Sequence, residues 1–294
     1  MGSSLETGKR WLKAEMHAHC NLDPKDYGIC RHTPEELIRE AARQGFDILS
    51  ITCHDSNIWS DALSRHAESL GITLVPGMEV TVEQDRHVLL YNFPQDHQKL
   101  NSLEKIGRHR TRDTLVVAPH PFFPGSSGLR RLLERNIDMF DAIEYSGFVI
   151  PGLNFNRRAI RLSQRSRKPL LGFGDVHHLW QLGRTYTYVY AEAEITSILD
   201  AIRTRQVRVA TSPLSWFEAA GWWAQRLYRA VVPANAPPSN EIKDRGSFGA
   251  AHQRMEPQGV HVGKKGQEIA DGAGGFHRPP LERFLNDRPI IPGK

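Results

Sequence analysis

Cysteine is scarce in this chain: Cys20, Cys30 and Cys53 are the only three among 294 residues. An odd number without paired spacing gives no disulfide framework, which excludes the small stapled folds of secreted proteins. Long apolar runs are missing too. No stretch of 18 apolar residues and no leader-like apolar segment occurs, so the sequence offers no membrane-spanning helix. These absences together predict a reduced, soluble, cytoplasmic protein. A phosphate-binding loop is also lacking, because Gly263-Lys264-Lys265-Gly266 follows no strand and does not fit Gly-x-x-x-x-Gly-Lys-Ser/Thr. Nor does a dense Lys/Arg stripe interleaved with stacking aromatics mark a processive nucleic-acid enzyme. The nearest approach is the arginine-rich run from Arg157 to Lys168.

What is present is an ordinary globular composition, 39% hydrophobic and 24% charged, long enough for one large domain with a tail. The net charge of +5 suits an anionic substrate or nucleic acid. The stretch Glu15-Met16-His17-Ala18-His19-Cys20 sets the organisation. Two histidines at i and i+2 on a strand point to one face, so both imidazoles can reach one metal ion.

Residues 1–10 read as a flexible terminus, and Trp11 to Met16 as a first strand. Thr33-Pro34-Glu35-Glu36 opens a helix with a cap, a proline at the first helical position and a capping box, and Gly45 stops it. Phe46 to Thr52 is a buried strand running into Cys53-His54-Asp55. Ser60 to Leu70 is a helix, and Ile72 to Val75 a strand ending at Pro76-Gly77-Met78-Glu79. Strands then follow at Arg86 to Phe93, Thr114 to Ala118, Met139 to Tyr145, Pro169 to Phe173 and Arg184 to Tyr190. Helices are expected before Arg135, over Asn154 to Ser166 and over Ile195 to Arg203. About seven alternating units predict a parallel sheet that can close into a barrel, with its active site at the carboxyl ends of the strands. His19, His54, Glu79, His120, Asp175 and His177 all fall there.

Residues 213–232 are different in kind. Trp216, Phe217, Trp222, Trp223, Leu227 and Val231 recur at helical spacing beside Arg226 and Arg229, which reads as an amphipathic helix docked on the barrel or laid on a membrane surface. From 233 to 294 the chain carries 8 prolines and 9 glycines, a composition that reads as a tail of low order.

His17-x-His19, Thr52-Cys53-His54, Gly77-Met78-Glu79, His87, His120-Pro121 and Gly174-Asp175-Val176-His177, in this order, resemble the PHP (polymerase and histidinol phosphatase) superfamily over residues 11–212. The resemblance implies a distorted (β/α)7 barrel holding two or three divalent metals at its rim, with hydrolysis of phosphate esters as the commonest activity. It implies that His17, His19, Glu79 and Asp175 ligate one metal, with Glu79 bridging to a second. His54, His87, His120 and His177 would complete the second and any third. Either Asp23 or Asp26 stands where the family places a further ligand. Imidazoles and carboxylates without thiolate suit Mn, Fe or Zn. The chain departs from the family at Cys53, which replaces a carboxylate before His54 and is either a small core residue or a soft extra ligand.

The expected reaction is hydrolysis of a small phosphomonoester or nucleotide by metal-activated hydroxide. Glu79, His120, Asp175 and His177 form the catalytic group, and Arg184, ahead of Arg157 or Arg158, clamps the phosphate. Two rivals stand beside it: an exonuclease acting on RNA or DNA ends, and a non-catalytic, metal-stabilised binding module.

Overall fold

In the computed structural model, residues 8–93, 100–231 and 283–284 are described. The tail expected from 233 lies almost wholly outside them. The fold is mixed α/β, built on two large sheets.

The first sheet centres on β1 (Arg10–Ala18), which runs parallel to β2 (Ile48–Ile51); β2 in turn is parallel to β3 (Thr73–Leu74). On its other edge β1 is antiparallel to β11 (Thr185–Ala191), followed by β12 (Val207–Thr211) and β13 (Arg283–Phe284). The second sheet takes β4 (Gly77–Val82), β5 (Arg86–Tyr91) and β6 (Leu115–Ala118) as an antiparallel meander. It continues in parallel through β7 (Ala142–Ser146) and β10 (Leu170–Phe173). The small hairpin of β8 (Val149–Ile150) and β9 (Leu153–Asn154) stands apart.

The expectation of one parallel, closed sheet is therefore corrected in two respects. Gly77–Val82 and Val207–Thr211 are additional strands; the tight turn at 83–85 makes β4 and β5 an antiparallel hairpin, and β12 returns antiparallel to β11 after a connection that carries the helix Ile195–Arg203. The hydrogen-bonded ladder is also not continuous among the described residues. The sheets meet at two seams, each made by a single bridge, Ala18 with Val176 and His54 with Glu79. Gly77 makes the second seam sterically feasible, since a Cβ there would collide with Ser50 of β2 and press on Thr52 just beyond it.

The helices form where their caps say they should. Thr33 accepts from the Glu36 amide and Glu36 returns the bond, opening α1 (Pro34–Arg43); Ser60 caps α2 (Asp61–Ser69). Leu37, Ile38 and Ala41 of α1 and Leu63 and Ala67 of α2 pack with Leu49 and Ile51 of β2. On the second sheet α3 (Leu103–His109), α4 (Arg131–Arg135) and α5 (Arg157–Ser166) bury Leu103, Ile106, Leu133, Ala159 and Leu162 against Val88, Val116 and Ile143. α3 fell outside the sequence reading.

A central cluster draws Leu12, Ala14 and Met16 from β1 together with Leu89, Tyr91, Val117 and Phe173 from the second sheet, closed by Ile198 and Ile202 of α6 (Ile195–Arg203). Each such side chain contributes roughly 1.5–3 kcal/mol on burial. Strand alternation then sends Glu15, His17 and His19 to the opposite face of the same chain segment.

α7 (Trp216–Val231) is formed, but its early aromatics do not share one docked face. Trp216 and Phe217 point outward, whereas Ala219 and Trp223 pack with Phe148 and Leu214. No described helix is long and apolar enough to cross a membrane.

Candidate metal centre

Eight of the residues picked from sequence converge on one cavity of about 250 Å³ or on the buried shell beneath it. His17 and His19 come from the end of β1, His54 from just beyond β2, Glu79 from β4 and His87 from β5. His120 follows β6, and Asp175 and His177 follow β10. Their own backbones stitch the seams: the His19 amide donates to the Val176 carbonyl at 2.9 Å, and the Val176 amide to the His17 carbonyl at 3.0 Å. The Asp55 amide donates to the Glu79 carbonyl at 2.8 Å.

Glu79 is the hub. One carboxylate oxygen lies 3.4 Å from His17 Nε2, 3.5 Å from His19 Nε2 and 3.1 Å from His54 Nε2. The other lies 2.8 Å from His87 Nδ1 and 3.1 Å from His120 Nε2. Asp175 Oδ1 adds contacts of 3.4 Å to His17 and 3.3 Å to His19.

Outside this ring, carboxylates hold the imidazoles from behind. Glu144 meets His17 Nδ1 at 2.8 Å, and Asp23 meets His19 Nδ1 at 2.7 Å and His54 Nδ1 at 3.0 Å. A carboxylate on Nδ1 leaves Nε2 facing inward, as ligation through that atom requires. The alternatives Asp23 and Asp26 are thus separated by place. Asp23 is fully buried and ties down two rings, whereas Asp26 lines the cavity, 2.9 Å from His177 Nε2.

Burial and charge pull against each other here. Burial alone would depress the imidazolium of His17, but Asp175, Glu144 and Glu79 outweigh it and hold its pKa well above the ordinary value. His19 is raised in the same way by Asp175 and Asp23. Burial would raise Glu79, yet His87, His54 and His17 hold it well below the carboxylate range, and His17 and His177 do the same for Asp175. Glu15 behaves differently, since burial dominates and pushes it up to about 8. It accepts from the His17 and Gly174 amides and so braces both strand ends.

The donor set fits divalent cations. His17 Nε2, His19 Nε2 and His120 Nδ1 are buried without a hydrogen-bond partner, and unpaired buried polar atoms cost about 1–3 kcal/mol each. Four groups of three or four His, Asp and Glu side chains bring ligand atoms within 4.8 Å of one another. Three rim loops also carry a non-glycine residue at positive φ, Asp55 at 49°, His120 at 26° and Asp175 at 49°. Such backbone is sparsely populated and clusters at functional sites.

Cys53 is in none of these groups; it packs in the core with its sulfur 3.4 Å from that of Cys20. Arg184 lines the cavity and pairs with Glu218 of α7. Arg157 and Arg158 do not line it. His178 stacks on Trp180. Sequence reasoning assigned no role to Glu15, Glu144 or Lys25. Lys25 enters the cavity wall bonded to Thr81, 3.7 Å from Asp55. The i−2 spacing of Glu15 from His17 was a readable signal, because it puts the carboxylate on the ligand face of β1. One side of the wall is apolar and formed by Phe123, Phe148 and Leu214, with Gly147 between the strands, where a Cβ would stand 2.9 Å from the Phe173 carbonyl; Asp85, Ser126, Ser127, Ser146 and Gln181 also line the cavity.

Residues 154–207 match the PHP-associated family model. A 5'-3' exoribonuclease of Haemophilus influenzae is 30% identical over 88 residues, 29% of this chain and 31% of that enzyme. Among solved structures, a two-domain protein of Bacteroides vulgatus containing a predicted PHP-like metal-dependent phosphoesterase superposes with a TM-score of 0.54 at 20% identity. The match covers 69% of this chain and 66% of that one. PsfC of Pseudomonas syringae superposes at 0.51 and 16% identity, covering 76% and 99%. The chain thus spans under a third of the exoribonuclease it matches and just under two thirds of the Bacteroides protein. Residues 154–207 are thus similar to a PHP-associated segment, and the fold is similar to that of the Bacteroides structure.

Proposed function

We propose that the chain is a metal-dependent phosphoesterase acting on a small phosphomonoester or a nucleotide with a free phosphate. The observation that carries this reading is Glu79, a buried carboxylate faced by five imidazoles of which two have no partner at Nε2. In this reading residues 11–212 form the catalytic domain, and the two sheets are the halves of a distorted (β/α)7 barrel.

His17, His19, Glu79 and Asp175 would hold one ion, and His54, His87, His120 and His177 would complete a second and third with Glu79 between them. Imidazole nitrogens and carboxylate oxygens without thiolate favour Mn, Fe or Zn. Such ions, when bound, supply Lewis-acid charge to a phosphoryl oxygen and lower the pKa of water. The chain's own groups do the rest. Glu144 and Asp23 fix ring orientation, and Arg184 and Lys25 offer cationic charge to the phosphate from the cavity wall. Where it does not ligate an ion, His177, the most open imidazole of the ring with 20% of its side chain exposed, would pass a proton to the leaving oxygen. Phe148 and Leu214 exclude water from one side.

A second reading, trimming of RNA or DNA ends by the same rim, is favoured by the 88-residue likeness to an exoribonuclease. The test is elemental analysis of protein purified without chelator, with phosphate release measured on nucleotides, sugar phosphates and 5'-phosphorylated oligonucleotides after Mn addition. Two or more ions per chain are expected, with release that disappears in Asp175→Ala and His17→Ala. Bound metal with no release from any of these substrates would leave a binding module instead.

A further inference from the structure

The arginines of α5 do little for the helix that bears them: Arg161 donates to the Arg157 carbonyl at 3.3 Å, and Arg165 alone stands in the last turn, where the dipole favours a cation. Arg157, Arg161 and Arg165 stand at i, i+4 and i+8 and are all exposed, forming one stripe. Like charges at that spacing destabilise a helix by about 0.2–0.5 kcal/mol per pair. The first turn has no acidic residue, and Arg157 and Arg158 occupy the end where the helix dipole disfavours cations. Glu134 of α4 is the one carboxylate that answers, bound by Arg158 at 2.8 Å. Its pKa is lowered first by that bond, with the charges of Arg165 and Arg131 adding to the effect. Arg131, Arg157, Arg161 and Arg165 form no ion pair among the described residues.

This cationic surface begins at the wall of the cavity. Asn156, just before α5, accepts from the Ser146 amide at 2.8 Å and donates to its carbonyl at 3.0 Å; Ser146, Gly147 and Phe148 all line the cavity. Arg158 lies 4.6 Å over the ring of Phe122, whose neighbour Phe123 also lines it. Phe123 stands edge-on to Phe148 at 5.4 Å and to Phe155 at 5.3 Å. An aromatic wall leading to a row of cations is how proteins take single-stranded nucleic acid, with bases stacked on rings and phosphates following the charges.

We propose that Arg157, Arg161 and Arg165, with Arg131 beside them, form a track for a single-stranded nucleic acid whose terminal phosphate sits at the metal rim. At 1.5 Å rise per residue the stripe extends roughly 12 Å from the cavity wall, room for the phosphates that follow the first. The track rests on the phosphoesterase reading for what happens to the end of the strand, but its binding is separable from turnover.

The experiment measures fluorescence anisotropy of a labelled, phosphorothioate 12-mer on the full chain across a salt series, beside phosphate release from a mononucleotide. The variants are the triple Arg157→Gln, Arg161→Gln, Arg165→Gln and the corresponding triple change to lysine. Single strands lose affinity with salt at a slope of about −0.7 per neutralised phosphate, so the glutamine triple should flatten the slope by about 2 and weaken binding at least tenfold. The lysine triple should keep the slope, and mononucleotide release should stay within twofold in both. An unchanged slope in the glutamine triple, or a 12-mer bound no better than a mononucleotide, would overturn the track. So would loss of binding to phosphatidylserine vesicles in the glutamine triple with 12-mer binding intact. Arginine-dependent binding without phosphate release from any substrate would instead sink the phosphoesterase reading and leave the track standing.

Discussion

The metal rim and the arginine helix are two dense collections of charge treated in opposite ways. At the rim, five imidazoles and several carboxylates are buried, and each of those imidazoles lies against a carboxylate. Along α5, like charges stand in a row in water with a single acidic answer. Burial makes pairing compulsory, because an isolated ion out of water costs several kcal/mol. Exposure makes pairing optional. Complementarity at the rim is therefore partly a demand of folding, and what points to ligand there is the residue left over, the unpartnered Nε2 atoms. On α5 only the dipole at Arg165 and the Arg161 bond to the Arg157 carbonyl reward the row, and nothing compels it, so the row itself is the signal.

The contrast breaks most sharply if the outer carboxylates of the rim are dispensable. Glu144→Gln keeps the shape but removes the charge behind His17 Nδ1. Metal affinity should fall about 10- to 100-fold, read by titration against a chelating indicator, with the folded chain retained. Unchanged affinity would mean that Glu144 is there for packing alone.

A smaller effect tests the charge balance by pH. His17 and His19 have raised pKa values, so in metal-free protein their contribution to stability is complete below the usual 6.5 and is lost as pH rises through the folded values. Glu15, raised to about 8, loses its contribution as pH climbs from the ordinary carboxylate range to 8. Glu79 and Asp175, lowered, contribute above the carboxylate range and lose it only in acid. Stability of the chelated protein should therefore decline from pH 6 to 8. The stabilisation given by Mn should grow over the same window, because protons no longer compete for the ligands. One pKa unit is about 1.4 kcal/mol, so the gap in Tm between the two should widen by at least ~3 °C in thermal scans. Parallel curves would show that the buried histidines are not the titrating groups.

The smallest effect sharpens the other half. Arg161→Gln removes the middle of the stripe and two like-charge pairs, so urea unfolding should show equal or higher stability, by up to ~0.5 kcal/mol. A loss of 1 kcal/mol or more would mean that Arg161 is structural after all.

Local signals in the sequence were legible where the chemistry is local. The Thr33 and Glu36 capping box, the Ser60 cap and the apolar runs of β2 and β10 place their elements to within a residue or two. Strand direction was not legible, because whether β4 and β5 pair as a hairpin depends on the turn at Glu83, Gln84 and Asp85, all at positive φ without a glycine to announce it. The motif residues gather at one cavity, as the alternation of strand and loop suggested. Glu144 went unassigned although its strand was foreseen, since its partner His17 is 127 residues away and nothing in the spacing joins them. The separate places of Asp23 and Asp26 likewise depend on which loop atoms reach the rings, something offsets in sequence do not encode.

The seams give the molecule a kind of self-inspection. His17, His19 and His54 belong to one sheet, Glu79, His87 and His120 to the other, and the joints between the sheets pass through Val176 and the His54–Glu79 bridge. Three of the four candidate ligand groups draw on both sides of the joint, whereas His19, Asp23, Asp26 and His54 come from one side alone. A chain whose halves have not come together would offer an ion fewer of these groups, so binding would favour the joined form. Metal binding would then report on correct folding, because the side chains that could hold an ion also stand at the joint between the sheets.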